Sequence, residues 1–169
     1  MKRNLPFAAA AVSALTAVAA VLWLALPAGA SPAARAAVSG TEHFQAMTTS
    51  ATATTIPIIA YGVFTKAGVD HSGSKADTVV FSNGSFKINH SGVPVHFTIN
   101  KKTCLFQANG TGKVTLFGGT GAYKGISGTP LATLRILGIA ARSSTGACSM
   151  KKTPVAFQQL IKASGTITL

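Results

Sequence analysis

The sequence predicts an all-β domain, a sandwich or a closed antiparallel barrel, behind an N-terminal targeting segment. Three observations carry this. Apolar residues recur with period two, as in Val95, Phe97 and Ile99 alternating with His96, Thr98 and Asn100. Asn-Gly pairs separate such runs. After residue 38 no amphipathic helical pattern of useful length occurs. Alternation marks half-buried strands, and regular short strands with glycine turns mark sandwiches and barrels.

The N-terminus comes first in chain order. Lys2 and Arg3 form a short positive region, and an uncharged Ala/Val/Leu-rich run follows from Leu5 to Ala30. Ala28-Gly29-Ala30 offers the small-x-small pattern that a signal peptidase accepts, and Ala34-Arg35-Ala36 is a second cleavage candidate. The expectation is a signal peptide over 1–30, with Sec-type export in a bacterium and a secreted product. The run exceeds a usual signal core, so an uncleaved anchor over 5–30 is the alternative. In that case membrane contact runs through this segment alone. Lys-Arg is not the Arg-Arg of a twin-arginine signal. Residues 31–38 read as a flexible leader, and 39–169 as one domain.

Strands are expected near 40–49, 55–66, 76–82, 85–90, 94–100, 104–108, 112–117, 129–141 and 156–168. Thr and Val, abundant throughout, suit strands through their branched Cβ. Asn83-Gly84 lies between Val79-Val80-Phe81 and Phe86-Lys87-Ile88, a hairpin signal. Asn109-Gly110 reads as a second hairpin turn, between Leu105-Phe106 and Val114-Thr115-Leu116. Residues 70–77 read as a polar loop.

Composition narrows the chemistry. The 169 residues carry a net charge of +12, and only Glu42, Asp70 and Asp77 are acidic. Beyond Asp77 there is no carboxylate side chain. A carboxylate pair of the glycosidase type cannot come from the C-terminal half, and oxygen-ligand metal cages are disfavoured for the same reason. Asp70, His71 and Asp77 match no firm metal template, so neither metal nor cofactor is expected. Asp70-His71-Ser72 has the residue types of a hydrolase triad, but triads are assembled in space, not in sequence. Cys104 and Cys148 allow one intramolecular pairing, which an exported chain favours; two buried thiols are the alternative. Lys101-Lys102 and Lys151-Lys152 each lie close to a cysteine. A disulfide gathers them into one basic patch able to attract an anionic envelope component. No aromatic platform accompanies them, which argues against nucleic acid.

The stretch Gly118-Gly119-Thr120-Gly121-Ala122-Tyr123-Lys124-Gly125 invites a phosphate-loop reading. A dinucleotide loop needs a helix directly after the glycines, and Gly125, Gly128 and Pro130 oppose one. A glycine-permitted reversal between strands, with Tyr123 packed back on the sheet, is the expectation. These residues, with Ser127-Gly128, resemble the Gly-Gly-Thr-Gly-x-aromatic-x-Gly motif of the allene oxide cyclase and dirigent superfamily. More closely, the chain resembles secreted bacterial proteins of unknown function with such a domain. The resemblance implies an eight-stranded antiparallel β-barrel of calycin type. It also makes Gly118, Gly119, Gly121, Tyr123, Gly125 and Gly128 structural. Dirigent-type motifs continue Ala-Arg-Gly, with the arginine facing the cavity; Ile126-Ser127-Gly128 stands here.

Within a barrel, Glu42 shares a face with Phe44 and is a candidate to face the lumen; the alternative is that it and Arg135 both face solvent. Arg135, set in an apolar strand, is its candidate partner. Glu42, Tyr61, His96 and Arg135 are the candidate ligand-lining residues. The functional expectation is a secreted, non-enzymatic barrel that binds a small apolar ligand or an anionic envelope surface. A cyclase- or isomerase-like enzyme and a filled barrel serving structure or interaction are the alternatives.

Overall fold

A computed structural model describes residues 37–169. The signal or anchor segment over 1–30, both cleavage candidates and most of the expected leader lie outside the described residues. The described chain is all-β and contains no α-helix.

Five strands run up and down in sequence: β1 (Ser39–Thr48), β2 (Thr55–Tyr61), β3 (Lys66–His71), β4 (Ala76–Phe81) and β5 (Gly84–Asn89). Then follow β6 (Val95–Ile99), β7 (Leu105–Lys113), β8 (Thr115–Phe117), β9 (Ser127–Gly128) and β10 (Leu131–Ile139). A small hairpin of β11 (Ala141–Arg142) and β12 (Cys148–Ser149) precedes the long closing strand β13 (Ala156–Thr168). Strand β13 pairs with β1 over its last ten residues, which closes the ring β1-β2-β3-β4-β5-β8-β9-β13 as an eight-stranded antiparallel barrel. Pairing reaches Val38, whose N–H and C=O both bond Leu169. Strands β5 and β6 lie end to end beside the β7–β8 line, and β9 and β10 lie end to end beside β13. Beyond the ring, β6, β7, β10 and β13 continue as a four-stranded extension, with β6 paired on one edge only.

The alternation does what period-two sequence requires. In β1, Glu42, Phe44 and Ala46 are buried and face inward; in β2, Ile56, Ile58 and Ala60 do the same. Burying such side chains contributes about 1.5–3 kcal/mol for each large aliphatic or aromatic one.

Three local expectations are corrected. Asp70 and His71, expected in a polar loop, are the last two residues of a strand, β3. Asn109-Gly110 is not a turn: it sits mid-strand in β7, pairing with β10 and β6. A Cβ on Gly110 would lie 2.9 Å from the Pro94 carbonyl oxygen, so glycine here serves close approach of the 93–94 segment. The 83–84 hairpin exists, but Ser82-Asn83 forms its turn, because Gly84 already pairs with Phe81. Gly84 adopts φ +148°, outside the ordinary range of a residue with Cβ.

Candidate functional site

The barrel has two unlike ends. One end is plugged. After β8 the chain crosses it through a single 3₁₀ turn, Gly121–Tyr123, rather than a helix. Thr120 and Ala122 donate backbone bonds of 2.8 and 2.9 Å to the carbonyls of Ser85 and Asn83. Gly118, Gly121, Gly125 and Gly128 all have positive φ between 57° and 144°. Gly119 does not, but a Cβ on it would collide with the Tyr123 carbonyl. The glycines thus let the turn lie flat against the β4–β5 hairpin. Tyr123 is swung inward, 1 % exposed, and its hydroxyl donates to Asn83 Oδ1 at 2.9 Å. Its ring meets Phe64, Phe81 and Phe86 at centroid separations of 5.0–5.5 Å.

Glu42 belongs to this end. Of the two alternatives for it, the structure shows the inward one, and it is 0 % exposed. Its partner is not Arg135 but a backbone amide: Phe64 N–H donates to Oε2 at 3.0 Å. Burial raises its pKa, while the backbone bonds from Phe64 and Val63 and the nearby His43 pull the other way. Oε1 is left without a partner.

The other end is open. Small side chains on the adjacent strands β1, β13 and β10 (Ala46, Ala163 and Ala132) line a cavity of about 270 Å³ in the upper lumen. Ile58, Ile88, Val93, Val114, Leu116, Leu134 and Ile161 supply most of its lining. The polar groups gather at the rim: Asp70 on β3, Asp77 on β4, His90 after β5, and Gln159 on β13. Strand pleat explains the cluster. Asp77 shares the inward face of Val79 and Phe81, and Asp70 faces in at the top of β3, where the wall ends.

The two aspartates differ. Asp77 Oδ1 accepts from Gly73 N–H at 2.8 Å and lies 3.1 Å from His90 Nε2. Asp70 is 4 % exposed, and its Oδ1 has no hydrogen-bond partner. Desolvation first, then repulsion from Asp77, raises the Asp70 pKa to about 7, against a smaller lowering by His90. Near neutral pH this carboxyl is poised between charged and uncharged forms. It can therefore donate or accept a hydrogen bond inside an apolar chamber.

The remaining expected lining residues are corrected. Tyr61 lies on the outer face of β2, half exposed and stacked on His43 at 4.8 Å. His96 is exposed on β6, and Arg135 is exposed on the outer face of β10. All three sit at odd positions of the pleat relative to their inward neighbours, so alternation places them outside. No Glu42–Arg135 contact forms; the single ion pair among the described residues is His90–Asp77. Sequence reasoning did not bring Asp70, Asp77 and His90 together: it put Asp70 in a loop and drew no inward face for Asp77 or for His90, just after β5. The usable signal was the inward parity that Val79 and Phe81 impose on Asp77.

At the tip of the extension Cys104 and Cys148 form a disulfide, with Cα atoms 5.3 Å apart. Arg142 bonds the carbonyls of Lys102 and Gly146, and Lys152 Nζ bonds the Arg142 carbonyl at 3.1 Å. The lysine doublets 101–102 and 151–152 are thereby drawn together with Arg142, all five side chains outside the core. No protein-family model, curated protein or solved structure matches the chain.

Proposed function

We propose that this protein is a secreted barrel that binds a small, largely apolar ligand in its upper lumen. One observation carries the reading: the aromatic plug fills only one end, and an apolar cavity of about 270 Å³ remains at the other. Chambers of this kind, apolar with a few convergent polar groups, are the usual form of small-molecule sites. The likeness of residues 118–128 to the allene oxide cyclase and dirigent motif agrees with a lumenal ligand. Export rests on the residues before the described domain; the disulfide is compatible with an extracellular location.

An enzymatic reading would have to run through Asp70 and the Asp77–His90 pair, because Tyr61, His96 and Arg135 point away from the lumen. Binding is the better-supported function, since it needs only the chamber. The test is fluorescence titration with N-phenyl-1-naphthylamine, a neutral apolar dye. Saturable enhancement is expected in the parent chain, with strong loss in Ala132→Trp and Ala163→Leu, which fill the chamber from the paired strands β10 and β13. Binding unchanged in both folded variants would place the dye elsewhere and remove the reading.

A second reading has its own observation, the disulfide-tied cluster of Lys101, Lys102, Arg142, Lys151 and Lys152. Such a cluster suits an anionic envelope surface. Co-sedimentation with phosphatidylglycerol vesicles should be salt-sensitive and lost in Lys101→Glu/Lys102→Glu.

A further inference from the structure

We propose that the lumenal ligand is an apolar amine, its alkyl body in the chamber and its ammonium seated on Asp70. This rests on the lumenal reading above and adds the chemical class of the ligand.

The chain carries three acidic residues against fifteen lysines and arginines, yet two of the three converge at one cavity rim. The third, Glu42, receives a backbone N–H and lies in the plug. Asp77 receives a backbone N–H and His90. Among the described residues, Asp70 alone faces the chamber with an unpartnered, fully buried oxygen. No lysine or arginine among the described residues pairs with it.

An orphaned buried carboxyl is satisfied by a donor, and best by a charged one. An ammonium donates to Oδ1 and gains from the nearby negative charge of Asp77. An alcohol supplies the hydrogen bond without the charge, and a carboxylate is repelled. The walls complete the match: Ile58, Ile88, Val114, Leu134 and Ile161 offer no polar atom to the rest of the ligand beyond their paired backbone. At the rim, His90 engages Asp77. His71 turns outward to Thr55, and Lys75 is exposed on the β3–β4 loop. Asp77 and His90 are therefore the titratable groups that face Asp70.

Octylamine, 1-octanol and octanoate isolate the head group at constant chain length. Each is titrated into the full described domain by calorimetry and by displacement of N-phenyl-1-naphthylamine. Octylamine should bind about tenfold more tightly than octanol, the ratio separating a charge-assisted from a neutral hydrogen bond, with octanoate weakest. The amine advantage should shrink from pH 8 to pH 5 as Asp70 takes up a proton. Asp70→Asn should bring octylamine down to octanol while leaving dye affinity within about twofold. Asp77→Asn should reduce the advantage only in part. Dye binding with no preference for the amine, or a preference that survives in Asp70→Asn, overturns this proposal and leaves the lumenal reading standing. Absence of both dye and amine binding overturns both.

Discussion

Two buried carboxyls, Glu42 at the plugged end and Asp70 at the open end, show how position decides what a charge is for. Both lie on the inward face of their strands, both are almost wholly removed from water, and burial raises both pKa values. Glu42 sits where the β2–β3 turn offers backbone N–H groups, so it ties Phe64 to β1. Asp70 sits where the wall ends and no amide is at hand. A carboxylate given donors by its own fold becomes structure; one denied them is left for a ligand or a proton.

Variants can break or sharpen this contrast. The largest effect should fall on the plugged end. Tyr123→Ala removes a ring packed on three phenylalanines and should cost roughly 3–5 kcal/mol in urea unfolding. A loss below 1 kcal/mol would mean the plug is not what closes the barrel. ATP and NAD should leave the parent's Tm unchanged, since Gly118–Gly121 is engaged with the β4–β5 hairpin.

Removing the disulfide with Cys104→Ala/Cys148→Ala comes next. It frees a loop with a sequence separation of 44 residues and should cost up to roughly 4 kcal/mol. The extension should loosen while the ring holds, which amide exchange would show as lost protection confined to β6, β11 and β12.

Asp70→Asn should act in the opposite direction. The folded-state pKa is about 7 against 3.8 in the unfolded chain. The folded state therefore binds the proton more tightly, and the parent loses stability as pH rises from about 4 to about 7. The loss is complete above pH 7. The variant should lack this fall and be more stable than the parent at pH 8, by on the order of 2 kcal/mol. Parallel pH profiles for parent and variant would show that Asp70 is not held in a raised state.

Glu42→Ala should destabilise by roughly 1–3 kcal/mol, because the Phe64 N–H loses its acceptor. Glu42→Gln should cost less, its amide oxygen still accepting. If Glu42→Ala and Asp70→Asn shift stability with the same sign, the contrast fails. The smallest effects belong to the outward residues: His96→Ala and Arg135→Ala should stay within about 0.5 kcal/mol and leave dye binding intact.

Strand character was legible because pleat parity is local. Every inward residue of β1 and β2 is readable from its neighbours, and the face that Glu42 shares with Phe44 was legible that way. Arg135 fails the same test only if an apolar strand is taken to mean an apolar environment on both faces. The outer face of β10 carries exposed Leu131, Leu137 and Ile139 beside it. Asn109-Gly110 misled because glycine marks both turns and close approaches, and only the path of Val93-Pro94 over β7 tells them apart.

By itself the sequence determined the class of structure and the scarcity of acid: period-two patterning, the 82–84 reversal, the glycine turn at 118–128 and three carboxylates among many cations. These are properties of neighbouring residues or of simple counting. Only the tertiary structure decided that the lumen is half filled, that Cys104 meets Cys148, and that Asp70, Asp77 and His90 share a rim. The rim comes from the β3–β4–β5 pairings and the disulfide from the β7–β10 extension, whereas the chamber depends on ring closure by β1 and β13, which pairs residues more than a hundred positions apart. Closure sets which inward side chains meet across the barrel, and where small ones meet small ones a chamber remains.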